Sequence, residues 1–335
     1  MGRFVAFGEV MLRMSPPGRE LLLQTPKLDI WIGGAESNVV TQLARLGHDT
    51  AMVTAFPANP LGDAAIKEMR GHGVDMRGVQ RRPGRMGIYF VTSGAGMRAT
   101  DVLYDRSGSS FATTPPDAWD WDALLAGADR LHLSGITPAL GPAGTQAALT
   151  AAEAATRLGV PISFDGNYRA RLWEAWDSDP KTTLTKLIGY ADLLFGNHRD
   201  ISLVLGKTFD GGGPDRRRVA AEAAFAHFPK LRLIASTARH ADDADRNRLS
   251  ARIDSRDRAV QTEEALITGI VDRVGAGDAF ASGVLHGLRS GLDLEMVAKT
   301  GLALTALKHS LPGDAGLFQQ GDLDAFMEGG FDVRR

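Results

Sequence analysis

A glycine-rich turn near the C-terminal end of the chain carries the residues best suited to chemistry. The segment Asp272-Arg273-Val274-Gly275-Ala276-Gly277-Asp278 is followed by small and apolar residues from 279 to 288. This pattern predicts a helix that starts at Gly275, Ala276 and Gly277 and holds Asp278 in its first turn. Free N–H groups at a helix start carry partial positive charge and bind anions such as phosphate.

Asp278 itself would repel a phosphate, so its place in this turn needs a separate reason. We expect it to be the general base that accepts a proton from an attacking hydroxyl, kept ionised by the helix dipole. The alternative is an ordinary helix-start aspartate that follows a turn.

Composition narrows the classes of partner. The 335 residues carry a formal net charge of -2, which offers no field for gathering nucleic acid or an anionic membrane, so small molecules are favoured. The absence of cysteine excludes disulfides, thiolate zinc sites and cysteine nucleophiles. No signal-peptide or membrane-spanning pattern is present, and we expect a cytoplasmic protein without a membrane partner.

Short apolar runs alternate with amphipathic segments along most of the chain, which predicts an α/β fold with a mostly parallel central sheet covered by helices. The predicted strands are 4–8, 50–55, 130–134, 161–165, 192–195 and 231–236, and the predicted helices are 38–46, 63–72, 145–158, 181–190, 219–228 and two more after Gly277 and Asp293. Ligands bind beyond the carboxyl ends of such strands, and the residues that fall there are Gly8, Glu9, Asp165, Asn197, Ser236 and Thr237.

Two segments interrupt the alternation, and one of them is a predicted hairpin that turns at residues 93–96. We assign 10–33 and 86–111 to a small β lid, and 1–9, 34–85 and 112–335 to the α/β core. A lid at this edge of the sheet would cover a ligand and exclude water. An edge extension or a contact surface in a homo-oligomer is the alternative.

The order of motifs resembles the PfkB (ribokinase-like) family of carbohydrate kinases over nearly the whole chain. The resemblance rests on Gly33-Gly34-Ala35-Glu36 with Asn38 early, Asn197-His198-Arg199-Asp200 in the middle, and Gly275-Ala276-Gly277-Asp278 late. It implies a three-layer ribokinase-like sandwich, ATP and Mg²⁺ as cofactors, and a monovalent cation as an option. It also implies a substrate surface at Glu9, Gly33, Gly34 and Asn38, a nucleotide site, and a magnesium network that includes Asp200. The residues expected at the nucleotide site are Asn167, Arg169, Asn197, Ser236, Thr237, Arg273, Gly275 and Gly277.

Within that family the chain is similar to members that phosphorylate the terminal hydroxyl of 2-keto-3-deoxygluconate. This closer similarity rests on Gly33–Glu36 together with the segments 164–169, 272–275 and 308–314. It implies that Tyr89, Tyr104, Arg106 and Arg169 hold the substrate carboxylate. A planar guanidinium pairs bidentately with a carboxylate, which supports the two arginines independently.

Three other functions stay open at this point. Another kinase of the family could act on fructose, ribose or a different deoxy-sugar acid, and a flat preference among neutral sugars would favour it. A non-catalytic sugar-binding protein could share the fold. A dinucleotide-dependent oxidoreductase shares the α/β alternation, but Gly8-Glu9-Val10 stands after the first strand, where a G-x-G-x-x-G turn would be required.

Overall fold

The computed structural model describes residues 2–329, and its centre is a nine-stranded, mostly parallel sheet. The strands are β1 Arg3–Phe7, β2 Met11–Ser15, β3 Asp29–Gly33, β4 Thr50–Val53, β5 Ala55–Phe56, β6 Gln80–Arg81, β7 Gly87–Thr92, β8 Asp101–Asp105, β9 Ala128–Ser134, β10 Ile162–Asp165, β11 Leu193–Phe195, β12 Leu233–Ala241, β13 Arg246–Ser255, β14 Ala259–Gln261 and β15 Ala265–Thr268. The central sheet has the order β14-β13-β12-β11-β10-β9-β1-β4, with β15 also paired to β13.

Helices cover both faces of this sheet. They are α1 Ala35–Arg45, α2 Pro60–Gly71, α3 Trp121–Leu124, α4 Ile136–Ala139, α5 Pro142–Arg157, α6 Ala170–Trp173, α7 Pro180–Tyr190, α8 His198–Leu205, α9 Gly213–His227, α10 Ala276–Arg289, α11 Leu294–Lys308 and α12 Gln320–Met327, and a 3₁₀ turn lies at Pro116–Ala118. No helix in the range 2–329 is long and apolar enough to cross a membrane.

The side chains of β1 point alternately to the two faces of the central sheet, and each face has its own apolar layer. Val5 and Phe7 pack with the apolar faces of α5, α7, α8 and α9. Phe4 lies on the opposite face and packs with α1, α10 and α11. Because successive strand residues point to opposite sides, one five-residue strand contributes to both layers. The result is the expected three-layer sandwich with a mostly parallel sheet.

A separate four-stranded sheet lies beside the core, in the order β3-β2-β7-β8. All four strands fall within 10–33 and 86–111, the segments assigned to the lid. The β7–β8 hairpin turns through residues 93–100, and its tip contacts the turn between β12 and β13, where the Ala244 N–H donates to the Gly96 carbonyl over 2.8 Å. The lid is therefore in contact with the core at its tip.

The sequence analysis did not predict the antiparallel strands β13, β14 and β15 at one edge of the central sheet. Beyond β12 the chain turns at Asp242–Asp245 and returns as β13, a ten-residue strand that pairs with β12 over nine positions. Its three arginines and one aspartate obscure strand alternation, because four of its ten side chains are charged. Arg252 and Asp254, both buried, are paired with each other at 2.7 Å, which lets a charged stretch lie in the sheet.

Candidate active site

One pocket of about 1060 Å³ opens at the carboxyl ends of the parallel strands, between the core and the lid. Every residue predicted for the site lines it except Gly33. Gly33 lies behind the pocket wall, with the Tyr89 hydroxyl and the Asp314 carboxyl packed against its α-carbon. The carboxyl ends of the strands thus bring together side chains that are far apart in the sequence.

The anion-binding turn has the local geometry that its sequence predicts. Gly275 is the N-cap of α10 with φ of 80°, a conformation that favours glycine, and a β-carbon there would lie 1.8 Å from the Asp314 carbonyl oxygen. Ala276 and Gly277 form the first turn of α10 and line the pocket, and the Ala276 N–H makes only a long hydrogen bond, of 3.4 Å, to the Arg273 carbonyl. A phosphate oxygen could therefore approach this backbone closely.

Asp278 lies deep in the pocket, and its protonation differs from the expectation. Burial raises the pKa of Asp278 to about 8, although a hydrogen bond from the Asn38 amide at 2.6 Å acts to lower it. The prediction that the helix dipole keeps this carboxyl ionised is therefore wrong for the free protein. Desolvation and the neighbouring carboxyls Asp165 and Asp314 outweigh the partial charge of a helix start.

Asn38 reaches Asp278 because α1 starts earlier than predicted. The helix begins at Ala35, after Gly34 in an extended conformation, so Asn38 lies in its first turns rather than at its cap. A β-carbon on Gly34 would lie 2.2 Å from the Glu9 carbonyl oxygen, so glycine is required for this close approach.

Glu9 and Arg106, predicted as separate substrate ligands, form a buried ion pair. The Arg106 Nε donates to Glu9 Oε2 over 2.8 Å, and the side chains are 6% and 1% exposed. The second carboxylate oxygen, Glu9 Oε1, is buried without a hydrogen-bond partner. Glu9 therefore offers an acceptor for a substrate hydroxyl, whereas Arg106 is already partly neutralised.

The two predicted tyrosines have different surroundings. The Tyr89 hydroxyl donates to the buried Asp314 carboxylate, and the Tyr89 ring stacks on Tyr104 at 5.8 Å between centroids. Tyr104 is 43% exposed and has the Arg106 guanidinium 5.6 Å from its ring centre. Of the two hydroxyls, that of Tyr104 is the one open to a ligand.

Arg169 approaches the pocket from the opposite side, after β10. It is an exposed residue at the start of α6, and its positive charge acts on Asp165 and Asp200. Asn167, two residues earlier, has φ of 37°, and its N–H donates to Asp165 Oδ1 over 3.1 Å. The segment 165–169 thus turns sharply so that its side chains line the pocket.

Asp200, the expected magnesium residue, has a second role in the local structure. Asn197 caps α8, and the Asp200 Oδ2 accepts the Asn197 N–H over 2.8 Å, which forms a capping box. One carboxylate oxygen thus remains for the pocket. Within 2–329, no three histidine, aspartate or glutamate side chains are grouped closely enough to hold a metal ion by themselves. These donors fit a Mg²⁺ ion that keeps much of its water and is held chiefly by phosphates.

The far end of the pocket carries positive charge. Ser236 and Thr237 lie on β12, and Arg239 follows two residues later on the same strand. Burial lowers the pKa of Arg239, and the charge of Arg273 lowers it further. Two guanidinium groups that destabilise each other in the free pocket would be stabilised by an anion between them.

His309 lines the same end and was not predicted. Its Nδ1 lies 2.7 Å from the Thr305 carbonyl oxygen, which can only accept, so Nδ1 carries the proton. The other ring nitrogen, Nε2, is buried without a partner and is therefore left as an acceptor facing the pocket. Burial lowers the pKa of His309, which keeps the ring neutral.

Two further carboxyls line the pocket: Glu36, which was given no site role, and Asp165, which was expected at a strand end beside the site but was given no role. Glu36 is 1% exposed and accepts the Ser134 hydroxyl over 2.6 Å, and burial raises its pKa. Burial and the nearby Asp200 raise the pKa of Asp165 to about 7. Glu36, Asp165 and His309 all belong to motifs noted in the sequence, so the signal was present without an assigned role.

Comparisons with known proteins agree with this geometry. Residues 1–317 match the pfkB family carbohydrate kinases. A 2-dehydro-3-deoxygalactonokinase from Haloferax volcanii is 32% identical over 97% of this chain and 96% of its own length. The crystal structure of a 2-dehydro-3-deoxygluconokinase from Thermotoga maritima superposes with a TM-score of 0.93 at 36% identity, covering 98% of this chain and 100% of that one.

A more distant structure carries the same fold. A ribokinase-type protein of E. coli, solved with ATP and Mg²⁺, has a TM-score of 0.82 at 18% identity, with 98% of this chain and 100% of that chain covered. The fold and the site together define a phosphotransferase that acts on a carbohydrate hydroxyl. The chain belongs to the pfkB family of carbohydrate kinases.

Proposed function

We propose that this protein transfers the γ-phosphoryl group of ATP to the terminal hydroxyl of 2-keto-3-deoxygluconate. One observation carries the proposal: the anion-binding turn with Asp278 shares a single pocket with Arg106, Arg169 and Tyr104. The first set suits phosphoryl transfer, and the second suits an acidic sugar.

In the proposed reaction the terminal hydroxyl oxygen of the sugar acid attacks the γ-phosphorus and the bond to the ADP oxygen breaks. The hydroxyl proton passes to Asp278, so Asp278 must first lose the proton that it holds in the free protein. The N–H groups of Gly275, Ala276 and Gly277 stabilise the negative charge on the transferred group. Because the transition state is largely dissociative, alignment matters more than the strength of the base.

The nucleotide is proposed to occupy the far end of the pocket. Arg239 and Arg273 would pair with its phosphates, and Ser236, Thr237 and Asn197 would supply neutral hydrogen bonds. His309 Nε2 would accept a hydrogen bond from the base or the ribose. Mg²⁺, through its water ligands and Asp200, would neutralise the phosphates that Asn167 and Arg169 approach. These nucleotide and metal roles rest on the shared pocket and on the E. coli relative, which was solved with ATP and Mg²⁺.

The substrate is tested by ATP-dependent ADP release on a panel of acceptors. We expect turnover with 2-keto-3-deoxygluconate or its C4 epimer 2-keto-3-deoxygalactonate, and much less with gluconate, fructose and ribose. The Asp278→Asn variant is the negative control. Turnover restricted to neutral sugars would keep the kinase and remove the acid substrate, and no turnover with any acceptor would favour a sugar-binding protein.

Carboxylate recognition has its own test in two arginine variants. Arg169→Ala and Arg106→Ala should raise KM for the acid substrate by about 10–100-fold, as expected for losing a charged hydrogen bond. KM for the matching uncharged alcohol should change far less. The Arg169 variant is the cleaner one, because Arg106→Ala also strips Glu9 of its partner. Equal losses on both acceptors would contradict carboxylate recognition.

Three broader expectations belong with this proposal. We infer a cytoplasmic enzyme, for which fractionation of its source cells is the test. A homo-oligomer would be detected by sedimentation of the purified chain. Replacing choline chloride with potassium chloride at constant ionic strength decides whether a monovalent cation takes part: a rise in turnover would establish it, and equal rates would remove it.

A further inference from the structure

A fully buried arginine lies outside the pocket and links the lid to the anion-binding turn. Arg13, on lid strand β2, is 1% exposed and does not line the pocket. Its Nη2 lies 2.6 Å from Asp272 and its Nη1 2.6 Å from Asp314, while Nε donates to the Ser15 hydroxyl over 3.0 Å. A guanidinium is suited to bridging two carboxylates, since its donors form a rigid planar fork.

Both carboxylates hold the backbone on which phosphate binding depends. Asp272 Oδ1 accepts the Val274 N–H over 3.0 Å, and its Oδ2 accepts the Gly313 N–H over 3.2 Å. The Asp314 carbonyl packs directly against the α-carbon of Gly275. The turn that starts α10 is therefore held between two aspartates, and Arg13 sets the distance between them.

The surrounding charges make Arg13 difficult to replace. Lys308 is fully buried, and its Nζ donates to the Leu311 carbonyl over 3.0 Å. Burial lowers the pKa of Lys308, and the charges of Asp272 and Asp314 oppose that shift. Two carboxylates are thus balanced by two cations, and removing Arg13 would leave an uncompensated buried negative charge.

We propose that Arg13 is a positioning residue for phosphoryl transfer: from the lid, through Asp272 and Asp314, it fixes the backbone of the anion-binding turn. Arg13 does not line the pocket, and the proposal rests on the proposed kinase function. Asp314 also accepts the hydroxyl of Tyr89, which lines the pocket, so the lid and the turn share one buried network.

The test compares Arg13→Lys and Arg13→Met with the wild-type protein. A lysine keeps the charge but replaces the planar fork with a single ammonium, which cannot reproduce the separate contacts of Nη1, Nη2 and Nε. We therefore expect kcat to fall at least tenfold in Arg13→Lys while KM for the sugar acid changes less than about threefold. Displacements of about 1 Å at a reacting group cost as much as a hundredfold in rate. We expect a larger fall in kcat for Arg13→Met, corrected for its folded fraction.

Arg19 supplies a matched control. It is a second lid arginine in an ion pair with the core, at 2.6 Å from Asp245, and it is 46% exposed. Its Nη2 also donates to the Ile270 carbonyl over 3.2 Å, ahead of the turn, but its ion pair is with Asp245 and not with Asp272 or Asp314. Arg19→Met should keep kcat within about twofold of wild type. An equal fall in kcat for Arg19→Met would mean that lid attachment alone matters, and would overturn the proposal.

Two other outcomes also decide the matter. If Arg13→Lys turns over within twofold of wild type, the bridge is dispensable and the proposal fails, whatever happens to Arg13→Met. If the wild-type protein phosphorylates no acceptor, the proposed kinase function fails instead, and that result is separate because it needs no variant.

Discussion

Replacing Asp278 by asparagine should change how the stability of the free protein depends on pH. The folded-state pKa of Asp278 is raised from 3.8 to about 8. A raised pKa favours the protonated carboxyl in the folded protein, so this stability is full below pH 3.8 and is lost as pH rises towards 8. Asparagine does not titrate and can still accept the hydrogen bond from Asn38, so the variant lacks this slope.

The size of the effect follows from the same shift. Each pH unit between the two pKa values costs up to about 1.4 kcal/mol of unfolding free energy, so the interval from pH 5 to 7 costs at most about 3 kcal/mol. Asp278 keeps partial contact with water in the open pocket, which reduces the figure to about 1–3 kcal/mol. For a chain of this size that corresponds to roughly 1–4 °C in Tm.

The assay is thermal unfolding of both proteins without ligands, at half-unit steps from pH 5 to 8.5. The Tm of Asp278→Asn should rise relative to wild type as pH increases. Asp63→Asn is a control for the chemistry of the substitution, because Asp63 also lies in the first turn of a helix but is 67% exposed. A Tm difference that stays within 1 °C over the whole range would refute the argument from burial and restore the ionised carboxyl expected from the helix dipole.

Two further predictions concern the same pocket. Gly275→Ala should prevent correct folding of the turn, because its β-carbon would lie 1.8 Å from the Asp314 carbonyl, whereas nothing lies within 4 Å of a β-carbon at Gly277. Gly277→Ala should therefore fold normally and lose mainly turnover; circular dichroism and ADP release separate the two effects, and equal stability of both variants would contradict the geometry. His309→Phe should raise KM for ATP by about 3–10-fold with little change for the sugar acid, since it removes one neutral hydrogen bond; an unchanged KM for ATP would exclude His309 from the nucleotide site.

The sequence predicts those parts of the fold that depend on local periodicity. All six predicted parallel strands are present, and the predicted helices are found with shifts at their ends, because apolar spacing and capping residues act within a few positions. Local periodicity does not predict the antiparallel strand β13. Its charged residues are paired within the sheet itself, as Arg252 and Asp254 are, so the sequence pattern does not reveal a strand.

The site shows the same division between local and distant causes. The glycine turn and Asp278 are contiguous, and their geometry follows from the order of the residues. The Arg106–Glu9 pair joins residues 97 positions apart, and Arg13 meets Asp314 across 301 positions. Such contacts depend on how the lid meets the core, which no local pattern encodes. The pKa of Asp278 belongs to this second group, because burial sets it.

Protonated carboxyls and free guanidinium groups together give the resting pocket a particular charge. Burial raises the pKa values of Asp165 and Asp278, to about 7 and about 8, while Arg169, Arg239 and Arg273 line the same pocket. Near neutral pH the pocket is therefore more positive than it would be with both carboxyls ionised, which suits two anionic substrates.

Raising the pH from 6.5 to 8.5 ionises Asp278 and supplies the base, but it also adds negative charge beside those substrates. We therefore expect kcat and KM for the sugar acid to rise together over this range, with KM for an uncharged analogue nearly constant. A KM that is flat for both acceptors would show that the carboxyls already carry their charge at pH 6.5.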